Sequence, residues 1–312
     1  METKRKIAVT YSDIMDRHMA QIRTAAEGFE VVSEEGIGDC EIIFGQANAK
    51  QLASAKQLKW LHAQSAGVDH YLKMGLSDGV ILTNSAGMHS ISIAEHMMGF
   101  TLMLMRRLHS YAIQQPQHTW DYLGPVKSVY RSVICVVGLG GIGSYYAASC
   151  RALGAVVRGV VRSPRKTAPG CVDELFTIDR LDEAIKDADV VALVLPDTKE
   201  TVRLFDRERM LKMKKGAIIL NVGRGSAIAQ DAMTELLESG HLGGAGLDVT
   251  EPEPLPADSK LWDAPNVILT PHISGGGLEL TVDLIVERFI KYLKDYMAGR
   301  PFERVVDRKA GY

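Results

Sequence analysis

The sequence predicts an α/β protein of two domains, each built on a parallel sheet with helices on its faces. Three observations carry that expectation. The first is the stretch Val133–Gly143, VICVVGLGGIG, where an apolar β-branched run meets glycines at 138, 140, 141 and 143 and helix-compatible residues (SYYAASCRAL) come at once after it. The second is a rhythm of short apolar runs and helix-length polar segments after that stretch. The third is a shorter rhythm of the same kind before it. Such alternation calls for crossover connections and so for parallel strands.

In chain order, the apolar runs at 6–10, 30–33, 41–45, 60–64 and 80–84 are the expected strands of the first sheet. Two of them lead into loops of small residues, Ser65-Ala66-Gly67-Val68 and Asn84-Ser85-Ala86-Gly87. Ligands gather at the carboxyl ends of strands in open parallel sheets, so these loops are placed to offer backbone N–H groups to a carboxylate. Ordinary tight turns are the alternative. From Ser92 to about Arg107 a helix is expected that is apolar almost all round and therefore buried between layers. Its His96 and the methionines 97, 98, 103 and 105 read as core. His109–Ser132, with Pro116, Trp120, Gly124 and Pro125, reads as an irregular arm or linker. The second domain begins near it, or with the helix before it.

Strands are then expected at 133–137, 156–161, 189–195, 217–222, 245–249 and 267–270, a set that fits a Rossmann-type doubly wound sheet. A helix over about 279–298 carries Leu280, Leu284, Ile285, Phe289, Ile290, Leu293 and Met297 at helical spacing, and Gly299 and Pro301 stop it. One more extended piece, Glu303–Val306, lies beyond it.

Composition narrows the classes of function. The 312 residues are 46% hydrophobic and 24% charged with a formal net charge of −2, which suits a soluble globular chain and gives no reason to expect a nucleic acid or an anionic membrane as partner. Cys40, Cys135, Cys150 and Cys171 show no metal-ligand spacing and read as reduced thiols of a cytoplasmic protein, with no metal expected. The N-terminal METKRKIAVT has no long apolar segment, so no signal peptide is expected, and the apolar run Ile91–Met105 is too short and too interrupted to span a membrane.

The strand–glycine–helix order at Val133–Gly143 is what a dinucleotide site needs. Gly138 makes the tight turn, Gly140 admits a pyrophosphate to the backbone, Gly143 lets helix pack on strand, and the helix N-terminus offers N–H groups to the phosphates. An NAD-preferring site places an acid about twenty residues on, at the end of the second strand. From Ser144 to Val172 there is no acidic residue; Arg162, Ser163, Arg165 and Lys166 stand there instead. Guanidinium and hydroxyl donors suit a 2′-phosphate, so NADP(H) is expected over NAD(H). A solvated cationic loop is the alternative.

Three ionisable residues come after three successive later strands: Arg224 in NVGRGS, Glu253 in DVTEPEPLP and His272 in TPHISGGG. Parallel strands bring their carboxyl ends to one edge, so these side chains can meet. Arginine suits bidentate pairing with a carboxylate, and a carboxylate–histidine pair suits proton transfer.

In these residues and their order the chain resembles the D-isomer-specific 2-hydroxyacid dehydrogenase family over essentially its whole length. The matching segments are SAGVD (65–69), NSAGMHSISIAEH (84–96), VVGLGGIG (136–143), LPDTKET (195–201), NVGRGS (221–226), GLDVTEPEPLP (246–256) and TPHISGG (270–276). The resemblance implies a coenzyme domain over 99–278 and a smaller flavodoxin-like substrate domain made of 1–98 and 279–312. It further implies an active site in the cleft between them, closure of that cleft during turnover, and a homodimer.

By position, Arg224 resembles the arginine that binds the substrate carboxylate, His272 the catalytic acid/base and Glu253 its partner. Ala66, Gly67 and Val68 resemble the backbone loop around the substrate carboxylate, with Arg224 as the side-chain contribution. The cofactor set implied is Gly138, Gly140, Gly141, Ile142, Gly143, Arg162, Ser163, Arg165, Pro196, Thr201, Val222, Gly223, Asp248 and Gly275, with Asp248 resembling the residue that holds the nicotinamide amide. The expected reaction is NADPH-dependent reduction of a small 2-oxoacid, glyoxylate or hydroxypyruvate first, to the D-2-hydroxyacid. Apolar residues near Tyr71 and Met88 leave room for bulkier 2-oxoacids. A dinucleotide-sensing protein like the corepressors that share this fold is the rival of another class.

Overall fold

The computed structural model describes residues 5–164, 169–276 and 278–308. The chain divides into two compact units, Met1–His89 with Gly276–Tyr312, and Ser90–Gly275.

The first unit holds five parallel strands, β1 (Arg5–Val9), β2 (Phe29–Val32), β3 (Ile42–Gly45), β4 (Trp60–Ala63) and β5 (Ile81–Asn84), in the order β2-β1-β3-β4-β5. This is the flavodoxin-like order. Strands β3 and β4 are buried along their whole length, which is why IIFG and WLHA read as unbroken runs without alternation. The C-terminal helix Glu279–Met297 covers one face of this sheet. Its Val282, Ile285, Val286, Phe289 and Leu293 form one core with Ile7, Ile42, Phe44 and Trp60. Of the expected stripe, Ile285, Phe289 and Leu293 are buried and Ile290 and Met297 pack against this core, while Leu280 is 47% exposed. The expected extended piece Glu303–Val306 forms no strand; Val306 N–H donates to the Leu82 carbonyl at 2.9 Å.

The second unit carries seven parallel strands: β6 (Val133–Val137), β7 (Val156–Val161), β8 (Glu174–Thr177), β9 (Val190–Leu193), β10 (Ala217–Asn221), β11 (Leu242–Leu247) and β12 (Val267–Leu269). Their order is β12-β11-β10-β9-β6-β7-β8. The order reverses between β6 and β9, the switch point where doubly wound sheets bind ligands. Strand β8 lies outside the six expected. It is a four-residue edge strand, ELFT, and only Phe176 in it is buried, so it leaves no apolar run to read. β11 begins three residues earlier than expected, at Leu242, because Gly243 and Gly244 continue the strand instead of turning the chain.

The boundary between units falls at 89/90 and not at 98/99. Ser90–Met105 is one continuous helix, and its Ala94, Met97, Phe100 and Leu104 pack with Val136, Tyr146 and Leu220 of the second unit. Thr101 and Tyr146 share a hydrogen bond of 2.7 Å across that packing. A cut at 98 would divide this helix and its core. The stretch expected to be irregular opens with a second helix, Leu108–Gln114, entered through Arg107 at φ 56°. Beyond it Trp120 is fully exposed and Tyr122 is 80% exposed.

All four cysteines are free, and three of them are buried. Burial pushes the Cys135 thiol up to about 12 and the Cys40 thiol up to about 11, so neither supplies a thiolate at neutral pH. Among the described residues no helix is long and apolar enough to cross a membrane.

Candidate active site

The glycine turn sits at the end of β6, and the backbone leaves no alternative residues at two of its positions. Gly138 has φ 104°, and a side chain there would collide with the Val194 carbonyl at the end of β9. A Cβ on Gly143 would collide with the Gly138 carbonyl across the strand–helix contact. Gly140 is different: nothing of the protein lies within 4 Å of a Cβ built on it. Gly140 caps the helix Gly141–Ala152, whose first-turn N–H groups at Gly141, Ile142 and Gly143 have no intrahelical acceptor. Backbone pinned on one side and open on the other, before a helix N-terminus, fits a pyrophosphate. We predict that Gly143→Ala destabilises the protein by about 1–3 kcal/mol through overpacking and abolishes the rise in melting temperature expected of the wild type on adding a nicotinamide dinucleotide. Differential scanning fluorimetry with and without the nucleotide measures both.

Arg162 and Ser163 come directly after β7 and are exposed; Arg165 and Lys166 lie outside the described residues. Thr201 Oγ1 donates to the Pro196 carbonyl at 2.6 Å, which folds the loop after β9 back on itself. Val222 and Gly223 are buried at the end of β10. Gly275 closes the turn after Ser274 and is half-buried.

The three candidate catalytic residues lie beyond β10, β11 and β12, which are consecutive in the sheet and in register at Asn221, Leu247 and Leu269. Asn221 folds the first loop: its Oδ1 accepts from Gly223 N–H (3.0 Å) and its Nδ2 donates to the Arg224 carbonyl (2.9 Å). A side chain at Gly225 would collide with the Thr250 carbonyl, so this loop lies directly on the one that carries Glu253. Among the described residues the Arg224 guanidinium makes one hydrogen bond, from Nη1 to the Gly223 carbonyl at 2.7 Å. The rest of its donor fork is available to a carboxylate.

Glu253 and His272 are paired. Oε2 of Glu253 accepts from His272 Nδ1 at 2.8 Å, and Oε1 accepts from Thr250 N–H at 3.1 Å. The carboxylate fixes the tautomer and leaves Nε2 as the nitrogen that can exchange a proton. His272 itself has φ 54°. That conformation is uncommon for a residue with a side chain and is found where surrounding contacts enforce it. Asp248 supplies the contacts. It is 1% exposed, and its carbonyl accepts from His272 N–H at 2.9 Å. Its Oδ1 accepts from Thr270 Oγ1 (2.6 Å) and Ile273 N–H (2.9 Å), and its Oδ2 from Ser274 N–H (3.0 Å). Because Thr270 gives its proton to Asp248, it accepts from His96 Nε2–H at 3.0 Å. His96, expected to be a bland core histidine, thus belongs to the brace beneath His272, as does Thr270. Sequence reading did not single out Thr270, although it sits two residues before His272.

The pair borders a cavity of about 510 Å³ walled by Asp248, Glu253, Leu255, Trp262, Leu269 and His272.

In the first unit the candidate carboxylate loop comes after β4 and is stitched to the loop after β5. Gln64 carbonyl accepts from His89 Nε2 (3.0 Å), Ser65 carbonyl from Ser85 N–H (3.2 Å), Ala66 carbonyl from Asn84 Nδ2 (2.7 Å) and Gly67 carbonyl from Ser65 Oγ (2.7 Å). The carbonyls are used internally, while the N–H groups of Ala66, Gly67 and Val68 have no backbone acceptor among the described residues. Val68 is buried and Ala66 is exposed. Tyr71 does not shape a pocket. It is 1% exposed and packs in the core, its hydroxyl donating to the Gly45 carbonyl at 3.3 Å. Met88 packs at the edge of the other core cluster of this unit.

Comparison with known proteins shows which chains this one is similar to. The family profile of the D-isomer specific 2-hydroxyacid dehydrogenase, NAD binding domain, matches residues 98–274. Glyoxylate/hydroxypyruvate reductase B of Pectobacterium carotovorum is 30% identical over 292 residues, covering 90% of this chain and 89% of that protein. The chain spans less than half the length of two D-3-phosphoglycerate dehydrogenases that it also matches, from Synechocystis and Bacillus subtilis. A solved D-isomer specific 2-hydroxyacid dehydrogenase family protein from Aeromonas salmonicida superposes with a TM-score of 0.88 at 33% identity, covering 98% of this chain and 100% of that one. The NADPH-dependent glyoxylate/hydroxypyruvate reductase of Sinorhizobium meliloti, solved with NADP and sulfate, superposes with a TM-score of 0.83 at 28% identity, covering 99% and 100%.

Proposed function

The chain belongs to the D-isomer specific 2-hydroxyacid dehydrogenase family of NAD(P)-dependent oxidoreductases, and on that premise we propose that it reduces a small 2-oxoacid such as glyoxylate or hydroxypyruvate, with NADPH preferred. The observation that carries the reading is the Glu253–His272 pair at 2.8 Å, with Arg224 on the neighbouring loop. Arg224 takes the substrate carboxylate on its open donor fork and polarises the adjacent carbonyl. In the first unit the N–H groups of Ala66, Gly67 and Val68 are the proposed backbone donors to a carboxylate. When bound, the reduced nicotinamide supplies the hydride to the carbonyl carbon. His272, protonated, gives its Nε2 proton to the carbonyl oxygen, and Glu253 stabilises the imidazolium and holds the ring in place. In the oxidative direction neutral His272 takes the proton.

The preference for NADPH rests on the segment after β7. No acid stands between Ser144 and Val172, and Arg162 and Ser163 are exposed there. Asp248, whose carboxylate oxygens accept from Thr270, Ile273 and Ser274, braces the His272 loop and stays the proposed holder of the nicotinamide amide. The apolar part of the cavity beside His272, Leu255, Trp262 and Leu269, supports a second reading with bulkier side chains. A homodimer formed through the second unit completes the proposal. Exposed Ile113, Trp120, Tyr122 and Tyr130 support it, and free, buried thiols support a reducing compartment.

The test is steady-state reduction of glyoxylate, hydroxypyruvate, phenylpyruvate and 2-oxoisocaproate with NADPH and with NADH. We expect glyoxylate or hydroxypyruvate to have the highest kcat/KM. In Arg162→Ala, kcat/KM with NADPH should fall about tenfold, the value of one charge-assisted hydrogen bond, with NADH little changed. NADH preference in the wild type refutes the cofactor reading. Tight nucleotide binding without turnover on any of the four acids would favour the nucleotide-sensing alternative.

A further inference from the structure

The first unit buries a histidine that the proposed reaction does not use. His62, on β4, is fully buried among Phe44, Trp60, Phe289 and Tyr292, whose ring centroids lie 5.6, 6.1, 5.8 and 5.8 Å from its own. Burial, with the Arg288 charge nearby, holds its pKa down to about 3, so the ring is neutral. Its tautomer is set by its neighbours. Trp60 Nε1–H is a donor only, and it donates to Thr83 Oγ1 at 2.8 Å. The Thr83 hydroxyl has no other acceptor among the described residues, so we assign its proton to His62 Nδ1 at 2.7 Å. The ring hydrogen is left on Nε2, which faces Ser85 Oγ at 3.4 Å, and Ser85 Oγ–H donates to the Ala63 carbonyl at 3.0 Å.

The chain of donors thus runs one way, from Trp60 in the aromatic core to Ala63. Ala63 is the last residue of β4, two residues before the loop Ser65–Val68. Ser85 is also the residue whose N–H holds the Ser65 carbonyl. Both polar groups of one serine grip the two ends of the turn into that loop, and His62 fixes the serine's side chain.

We propose that His62 is a positioning residue for substrate binding: through Ser85 it sets the direction in which the Ser65–Val68 loop presents its N–H groups to the carboxylate of the 2-oxoacid. The proposal rests on the 2-oxoacid reading and adds a residue remote from the reacting atoms.

The test compares His62→Phe, His62→Gln and Ser85→Ala in steady-state reduction of the best 2-oxoacid at saturating NADPH, with NADPH affinity measured separately by quenching of protein fluorescence. In His62→Phe and Ser85→Ala, KM for the 2-oxoacid should rise about tenfold, the value of one hydrogen bond lost from a presenting loop, while kcat and NADPH affinity stay within about threefold. His62→Gln, whose amide restores a donor near Nε2, should recover most of that loss. A 2-oxoacid KM within about twofold of wild type in both variants overturns the positioning role, as does a parallel loss of NADPH affinity, which would mark a purely structural effect. Should His62→Phe not fold, Ser85→Ala, which removes one hydroxyl, carries the same test. Wild-type protein that turns over no 2-oxoacid removes the functional reading itself, and this inference with it. Turnover by the wild type with unchanged variants overturns only the role of His62.

Discussion

His272→Gln is expected to lower kcat for 2-oxoacid reduction by about 100- to 10,000-fold, the range that positioned acid/base groups contribute, while NADPH affinity stays within about twofold. Glutamine is the informative replacement because its amide keeps a hydrogen-bonding group near Nδ1, within reach of Glu253, yet cannot carry a transferable proton. The left-handed backbone at this position is held by Asp248 through the His272 and Ile273 N–H groups, so the variant keeps the loop conformation. Activity within a few fold of wild type would remove His272 from the chemistry. Glu253→Gln should fall less far, since it weakens the imidazolium and the tautomer without deleting the acid. Single-turnover hydride transfer, monitored by loss of NADPH absorbance, separates this from slow product release.

Much of this site was legible in the sequence because a parallel sheet converts sequence order into spatial proximity. Arg224, Glu253 and His272 each stand a few residues beyond a strand, and those strands are neighbours in register. The glycine turn was legible for a similar reason, since strand, turn and helix are contiguous in the chain. The features that resisted reading are long-range or conformational. Asp248 is seen as a brace only once residues 273 and 274 are folded back onto it, and the φ of His272 leaves no trace in residue type. His96 reads as core on its own helix; its bond to Thr270 spans 174 residues. Strand β8 is an edge strand with one buried side chain, so no apolar run marks it. The helix Ser90–Met105 is apolar on nearly every side, and that pattern does not say which sheet it covers. Hence the boundary expected at 98 belongs at 89. Tyr71, beside a candidate loop, is likewise placed only by the fold: it lies in the core.

Replacing Arg224 tests the other half of the mechanism and should cost as much. Two charge-assisted hydrogen bonds to a carboxylate, each worth about 1.5–3 kcal/mol, are lost in Arg224→Gln, which corresponds to roughly 100- to 10,000-fold in kcat/KM for the 2-oxoacid. Arg224→Lys keeps the charge but presents it as a point, without the planar fork, so it should recover about tenfold of that loss and no more. The backbone does not depend on the side chain. Asn221 holds the Arg224 carbonyl and the Gly223 N–H, and the close approach of Gly225 to Thr250 seats the loop. Both variants should therefore bind NADPH as the wild type does and melt within about 2 °C of it. The pattern across variants decides the role. An effect mainly on KM would mean that Arg224 anchors the carboxylate in ground state and transition state alike. A loss shared by kcat and kcat/KM would mean that its remaining N–H groups also track the charge that grows on the carbonyl oxygen. Because the same guanidinium serves a carboxylate and the carbonyl next to it, we expect the second pattern. Arg224→Gln with kcat/KM within threefold of wild type would instead place substrate recognition elsewhere.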